Sequence, residues 1–318
     1  MTHHLARHFQ SLLHLKAVIN AGSVNSAAEL IGLSQPALTR SISRLEDALQ
    51  VKLVDRTPRG VVPTAFGESL LEYIEVADNT LDNAVAALAS LKDSTEGRLV
   101  CGGTSITMNA LVPAAVADLQ RRKPKAKIRV IEGYTTSLFY MLRRGEVDVV
   151  VGPRMAEFDQ ADLIWEEIAT EQVGIFVKRG HQLLTASSNS LNEMLERHSW
   201  VVPNSAGPLY RLIQQEFARY DRSWPRTYLE SSSMGVMRWF ARETDRLVLT
   251  TSHMLAPELL DGKVSDVHGD WQLPKSQIVV YTRRSETASP LTAAFIRSVK
   301  KSAESWPQLP SSVSRLHR

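Results

Sequence analysis

The sequence predicts an α/β protein in three parts: a small helical head closed by a β-hairpin, one long helix, and a larger region of alternating strands and helices. Three observations carry this. Residues 22–40 hold two short helical patterns, each opened by a serine and separated by a glycine. Residues 65–91 repeat small and apolar residues at spacings that alternate three and four. Beyond Ser94-Thr95-Glu96-Gly97, short apolar runs alternate with amphipathic stretches.

In the head, a first helix carries Leu12, Leu15, Val18 and Ile19 on one face. Ser23 is a good N-cap for a short helix holding Ala27, Ala28, Leu30 and Ile31, and Gly32 supplies the turn that ends it. Ser34 caps the next helix, over Gln35–Leu49, where Pro36 is tolerated in the first turn. The small Ala27 and Ala28 let the two helices approach closely. This is a helix-turn-helix, whose second helix lies in the DNA major groove. Ala37, Leu38, Ile42, Leu45 and Leu49 are expected to pack inward; Gln35, Thr39, Arg40, Ser43 and Arg44 are expected to point out. Glutamine can pair with adenine, arginine with guanine, and hydroxyls with bases or phosphates. Leu53-Val54-Asp55-Arg56 and Val61-Val62-Pro63-Thr64, bent at Pro58-Arg59-Gly60, form a wing that brings Arg56 and Arg59 to the phosphates. The candidate DNA-contact set is therefore Ser23, Ser34, Gln35, Pro36, Thr39, Arg40, Ser43, Arg44, Arg56 and Arg59.

Residues 8–64 resemble the winged helix-turn-helix of the LysR-type transcriptional regulators. The likeness is carried by Ala27-Ala28, Leu33-Ser34-Gln35-Pro36-Ala37-Leu38-Thr39, Ile42, Leu45-Glu46, Leu53-Val54-Asp55-Arg56 and Thr64-Ala65-Phe66-Gly67. So many matches over one segment make a strong motif.

Composition agrees. Of 318 residues, 43% are hydrophobic and 22% charged, as in ordinary globular proteins of two or three domains. No apolar run is long enough for a membrane span, and there is no basic, apolar leader at the start, so a cytoplasmic location is expected. Cys101 is the only cysteine, which excludes an intrachain disulfide, a cysteine zinc cluster and a two-cysteine peroxide switch; it reads as a buried strand residue. Residues 1–64 carry seven basic residues (Arg7, Lys16, Arg40, Arg44, Lys52, Arg56, Arg59) against four acids (Glu29, Glu46, Asp47, Asp55). Residues 65–91 carry five acids (Glu68, Glu72, Glu75, Asp78, Asp82) and no Lys or Arg. DNA binding is thus expected in the head alone.

Thr64 caps the long helix, Ala65–Lys92. Gly67, Leu70, Ile74, Ala77, Leu81, Ala84, Leu88 and Leu91 form a narrow heptad seam opposite an acidic face, which points to pairing with a second chain through Leu70, Ile74, Ala77, Leu81 and Leu88. The resemblance implies a homodimer or homotetramer and admits RNA polymerase as a further partner.

The third part reads as strands over Arg98–Gly103, Lys127–Glu132, Val147–Val151, Gln172–Val177, Trp200–Val202, Arg226–Glu230, Leu247–Thr250 and Ile278–Thr282. Helices are expected over Met108–Arg122, Ser137–Arg144, 190–197, 208–220, 233–242 and Leu291–Lys301, giving a parallel sheet covered by helices. Residues 305–318 read as a mobile tail. The family resemblance implies two Rossmann-like lobes of periplasmic-binding-protein type, 97–166 with 268–304 and 167–267, so the domains are 1–64, 65–92 and 97–304. Leu111-Val112-Pro113, Arg144-Gly145-Glu146-Val147-Asp148-Val149 and Trp165-Glu166 support it; Glu243-Thr244-Asp245-Arg246 departs from the glycine turn that many members have there.

Parallel strands present ligands at their carboxyl ends. Hydroxyls and one amide gather at these ends: Thr104, Ser105, Thr135, Thr136, Asn204, Ser205, Ser232 and Thr251. Such a ring suits a carboxylate, a phosphate or a sugar derivative, although serine and threonine also stand there simply as caps. By resemblance, Thr104, Ser105, Thr136 and Asn204 lie closest to the residues that hold effectors in relatives. No metal helix, nucleophile elbow, Walker loop or dinucleotide fingerprint occurs, and no cofactor is expected. The expected protein is a DNA-binding transcriptional regulator, not an enzyme. Its binding or promoter bending would be controlled by a small-molecule effector between two lobes. The alternative is a constitutive repressor or architectural protein whose α/β region only oligomerises.

Overall fold

A computed structural model of the chain describes residues 8–58, 60–92, 97–155, 162–185, 190–269, 271–284 and 288–304. Arg59, residues 1–7 and the expected tail at 305–318 lie outside the described residues. The chain divides into two compact units, one reaching Leu88 and taking in Arg143–Glu146, the other holding the α/β region.

The head contains α1 (Phe9–Ala21), α2 (Val24–Ile31), α3 (Gln35–Leu49) and a hairpin of β1 (Val54–Thr57) with β2 (Gly60–Pro63). Ser23 accepts a hydrogen bond from the Ser26 N–H and Ser34 from the Ala37 N–H, as their cap positions require. Gly32 ends α2 at φ 70°, a conformation glycine adopts without strain. Leu15, Val18, Ala27, Ala28, Leu38, Ile42, Leu45 and Leu53 form the core. Polar ties reinforce it: the Ser41 hydroxyl meets His14 Nδ1 at 2.8 Å and donates to Ser11 at 2.9 Å, joining α3 to α1.

Glu46 is the least expected member of this core. Its carboxylate is buried and accepts from the Leu53 N–H at 2.8 Å, the Val54 N–H at 3.4 Å and Lys52 Nζ at 2.8 Å, so α3 holds the first strand of the wing. Burial alone would raise its pKa, but these hydrogen bonds outweigh it and hold the carboxyl below its ordinary value.

The long helix α4 (Ala65–Lys92) starts where Thr64 Oγ1 accepts from the Gly67 N–H at 3.2 Å and donates to the Lys52 carbonyl at 2.7 Å. A Cβ at position 67 would stand 1.9 Å from the Leu53 carbonyl oxygen, so only glycine fits there. The expected seam divides into two portions. Ile74 is buried in the head core, which corrects its assignment to a partner-facing seam, while Leu70 is half-buried beside it. Lys16 Nζ of α1 pairs with Asp78 of α4 at 2.6 Å. Leu81, Val85 and Leu88 remain exposed, and Ala77 is half-buried.

The second unit holds β3 (Arg98–Gly103), α5 (Ser105–Met108), α6 (Leu111–Arg122), β4 (Lys127–Glu132), α7 (Thr135–Arg143), β5 (Val149–Pro153) and β6 (Leu163–Lys178). These are followed by α8 (Leu191–Arg197), β7 (Ser199–Pro203), α9 (Pro208–Arg219), β8 (Thr227–Ser231), α10 (Met234–Glu243) and β9 (Leu247–Thr251). Last come α11 (Ala256–Leu260), β10 (Val264–Asp266), β11 (Lys275–Arg283) and α12 (Pro290–Glu304). The helix expected over Met108–Arg122 is broken. Pro113 would clash with a helical carbonyl at Asn109, so α6 begins afresh at Leu111.

The strand order is β4-β3-β5-β11-β6-β9-β7-β8, with β10 also paired to β6. The sheet is mixed, which corrects the all-parallel expectation. β4-β3-β5 and β9-β7-β8 are parallel sets, but β6 and β11 run antiparallel to their neighbours. A chain that passes from one parallel set to the other and back must cross on strands of its own. The first crossing strand, β6, is the longest in the sheet. Its residues Leu163–Gln172 pair with β11, and Val173–Phe176 then pair with β9. A register shift against Ile278/Val279 marks a bulge in the first stretch.

Glu171 sits where β6 changes partner, and its side chain is wholly buried. Burial pushes its carboxyl up to about 8 against the opposing influence of the Thr251 hydroxyl, and His253 Nδ1 lies 3.6 Å away. A carboxyl raised in the folded state is held neutral there. Its contribution to stability is therefore full below the ordinary value of 4.5 and declines as pH rises toward about 8. Melting temperature measured against pH should show this decline in the natural protein and a flatter profile in Glu171→Gln; equal slopes would contradict the burial argument.

Candidate functional site

In the head, α3 presents Gln35, Arg40, Ser43 and Arg44 exposed along one face, with Thr39 half-buried beside them. Gln35 Nε2 donates to Thr39 Oγ1 at 3.4 Å, and Arg40 Nε to the Pro36 carbonyl at 3.3 Å. These bonds are long and local, so both side chains can turn to an outside acceptor. Pro36 and Ser34 are exposed at the start of α3, Ser23 is half-buried at the start of α2, and Arg56 is exposed on β1. The structure thus gathers Ser34, Gln35, Pro36, Thr39, Arg40, Ser43 and Arg44 on one helix. The hydroxyls of Ser23 and Ser34 already accept from backbone as caps.

In the second unit a cavity of about 300 Å³ opens at the ends of β3, β4, β5, β7 and β8. Thr104, Ser105, Thr135, Asn204 and Ser232 line it, so five of the eight expected residues converge. Thr136 and Ser205 are exposed outside the lining. Thr251 is wholly buried beside Glu171 and does not reach the cavity, which corrects its place in the set. The 3-10 turn Ser252–Leu255 continues directly from β9 and carries Met254 into the lining instead.

Two of the hydroxyls have an unusual status. Thr104 and Thr135 are buried, and neither Oγ1 has a hydrogen-bond partner among the described residues. A buried hydroxyl left so is destabilising by about 1–3 kcal/mol, and both lie on the cavity wall. Other polar groups are already engaged. Asn204 Nδ2 donates to Glu230 Oε1 at 3.0 Å and its Oδ1 accepts from the Ala206 N–H at 3.0 Å, leaving one amide N–H for an incoming group. Glu230 also takes the Ser205 N–H and hydroxyl at 2.9 Å, and these bonds hold its carboxyl below its ordinary value. Ser233 is a cap, its oxygen accepting from the Val236 N–H. The rest of the wall is largely apolar, including Ile106, Leu209, Met237 and Met254. Met237 and Met254 are ordinary core methionines in the sequence, and no local signal marks them. Among the described residues no cluster of His, Cys, Asp or Glu could hold a metal ion, and no helix is long and apolar enough to cross a membrane.

Two family models match this chain. "Bacterial regulatory helix-turn-helix protein, lysR family" matches residues 9–68, and "LysR substrate binding domain" matches residues 92–304. The chain belongs to the LysR family of transcriptional regulators. Among its relatives, the HTH-type transcriptional regulator GalR of Pseudomonas putida is 27% identical over 76% of this chain and 60% of its own length. The HTH-type transcriptional regulator PcaQ of Agrobacterium fabrum is 27% identical over 80% of this chain and 81% of its own. The chain thus spans less than two thirds of the GalR sequence and most of PcaQ. The fold matches that of ArgP from Mycobacterium tuberculosis (TM-score 0.69, 16% identity, 92% and 96% covered). It also matches full-length CbnR complexed with its target DNA (TM-score 0.64, 17% identity, 92% and 99% covered).

The regulator's two buried threonines make a stability test. Thr135→Val removes a desolvated hydroxyl, so the ligand-free protein should gain up to about 1 kcal/mol in denaturant unfolding. A loss of stability would mean the hydroxyl is satisfied within the protein.

Proposed function

We propose that this regulator binds operator DNA through α3 and the wing, and that a small molecule in the cavity at the strand ends controls that binding. The observation that carries the reading is the pair of buried hydroxyls, Thr104 and Thr135, which have no hydrogen-bond partner among the described residues and stand on the wall of a largely apolar cavity. A fold tolerates such groups when a ligand completes them. Thr104, Ser105, Thr135, Asn204 and Ser232 then orient the ligand, and Ile106, Met237 and Met254 cover it. The lobe limits 97–166 with 268–304 and 167–267 put the cavity between lobes joined by β6 and β11. The effector's class includes carboxylates and sugar derivatives.

In the head, Gln35, Thr39, Arg40, Ser43 and Arg44 read bases, while Ser23, Ser34, Arg56 and Arg59 hold phosphates. The exposed Leu81 and Leu88, with Ala77, pair two chains so that two recognition helices meet two half-sites. A pair of such dimers forms the tetramer, and RNA polymerase is the partner when the promoter is bent. The protein works in the cytoplasm, where its DNA is.

Selection of bound fragments from the source genome by the purified protein, at near-physiological salt, tests this. A few sites with a two-fold repeat are expected; sequence-independent recovery would support an architectural role instead. On a recovered site, Arg40→Ala should lose ~1–3 kcal/mol and relax preference at one base pair. Unchanged sequence preference would remove α3 from base reading.

A further inference from the structure

A smaller cavity, of about 150 Å³, lies in the same unit at the opposite end of β8 from the first and shares no wall residue with it. α8 contributes Asn192 and Glu196, one turn apart on one helix face. The segment that joins α9 to β8 contributes Asp221, Ser223, Trp224 and Arg226. Backbone ties the two walls together, since the Arg226 N–H donates to the Leu195 carbonyl at 3.3 Å. Asp221 turns the chain into this segment at φ 52°, a left-handed conformation that aspartate enters more readily than most residues.

The wall is mostly polar and carries charges of both signs. Arg226 is a cation, and Glu196 and Asp221 are anions. Among the described residues none of the three is in an ion pair. Opposite charges that share a cavity without meeting each other suit a ligand that itself carries both.

Trp224 adds a fixed donor. Its ring is held against Tyr210 and Phe217 of α9, with centroids 4.6 and 5.6 Å away, so the indole is not free to turn. Its N–H is closed to solvent and has no hydrogen-bond partner among the described residues. A buried donor left unmet is destabilising, and an acceptor brought by a ligand relieves that cost.

We propose that this cavity is a second ligand site and that it takes a small zwitterionic α-amino acid, whose carboxylate meets Arg226 and the Trp224 N–H and whose ammonium meets Glu196 and Asp221. Ser223 and Asn192 complete the polar wall. The volume limits the side chain, because a cavity of this size holds a molecule about as large as benzene. A metal ion would leave Arg226 and Trp224 unmatched, and a simple anion would leave both carboxylates so.

L-Alanine is the probe. Its controls are propionate, which lacks the ammonium, and L-alaninamide, which lacks the carboxylate. The full-length protein is labelled at its indole nitrogens for magnetic resonance, and the Trp224 line is identified by its loss in Trp224→Phe. L-Alanine should move that line saturably at millimolar concentration, and each control should bind at least ~10-fold more weakly. Arg226→Gln and Glu196→Gln replace exposed side chains, and each should weaken L-alanine at least ~10-fold. Calorimetric titration of the same compounds reads these affinities without any assigned line. No binding of L-alanine, a control that binds as tightly as L-alanine, or an affinity unchanged in either variant overturns the proposal.

Discussion

The α/β part of this regulator depends on one strand. β6 runs for sixteen residues, Leu163–Lys178, and belongs to two neighbourhoods: its first stretch lies beside β11 and its second beside β9 and β10. Every hydrogen-bonded route from β3-β4-β5 to β7-β8-β9 passes through it. Since each parallel set points its strand ends toward the cavity, β6 and β11 decide where the two walls of that cavity meet. The wall residues come from β3, β4 and β5 on one side and β7 and β8 on the other. A rotation at the crossing would open or close the cavity while leaving each set intact, because the hydrogen bonds inside each set do not cross it. Glu171 is buried at this crossing, where a polar group reduces stability but makes the local packing sensitive to its protonation.

The head depends on another buried carboxylate, with the opposite character. Glu46 is charged and supplied with donors from Lys52, Leu53 and Val54. It makes the recognition helix and the wing one body, so that side chains on α3 and Arg56 on β1 keep a fixed relation. Thr64 and Gly67 then attach α4 to the same body through the Lys52 and Leu53 carbonyls. A movement of α4 would therefore carry α3 with it. The proposed ligand-to-DNA coupling would thus have a physical path within the head, where the first turns of α4 are packed rather than hinged.

Much of this was legible in the sequence where structure follows from local rules. The caps Ser23, Ser34 and Thr64, the turn at Gly32 and the bounds of α3 and α4 are consequences of side-chain and backbone chemistry within a few residues. Positions set by distant contacts were not legible. Ile74 continues the heptad seam by spacing, yet the head core of the same chain buries it. Thr251 ends a strand as the other candidates do, but the crossing β6 buries it. Glu46 and Glu171 carry no mark of burial in the sequence, because nothing local reveals that Leu53 or Thr251 will close over them. The hydroxyls mark the cavity in the sequence; Met237 and Met254 do not, because only non-local packing brings α10 and the turn after β9 to its wall.

The central claim is that a ligand in the cavity and DNA on α3 act on one equilibrium. Binding linkage requires each to change the other's affinity by the same factor. The most direct test is calorimetric titration of an effector into the full-length protein, alone and saturated with a selected operator, beside titration of operator with and without effector. Two unequal ligand affinities are expected, with a ratio equal to that of the two operator affinities. Identical ligand affinity with and without operator, from a ligand that fills the cavity, would contradict it.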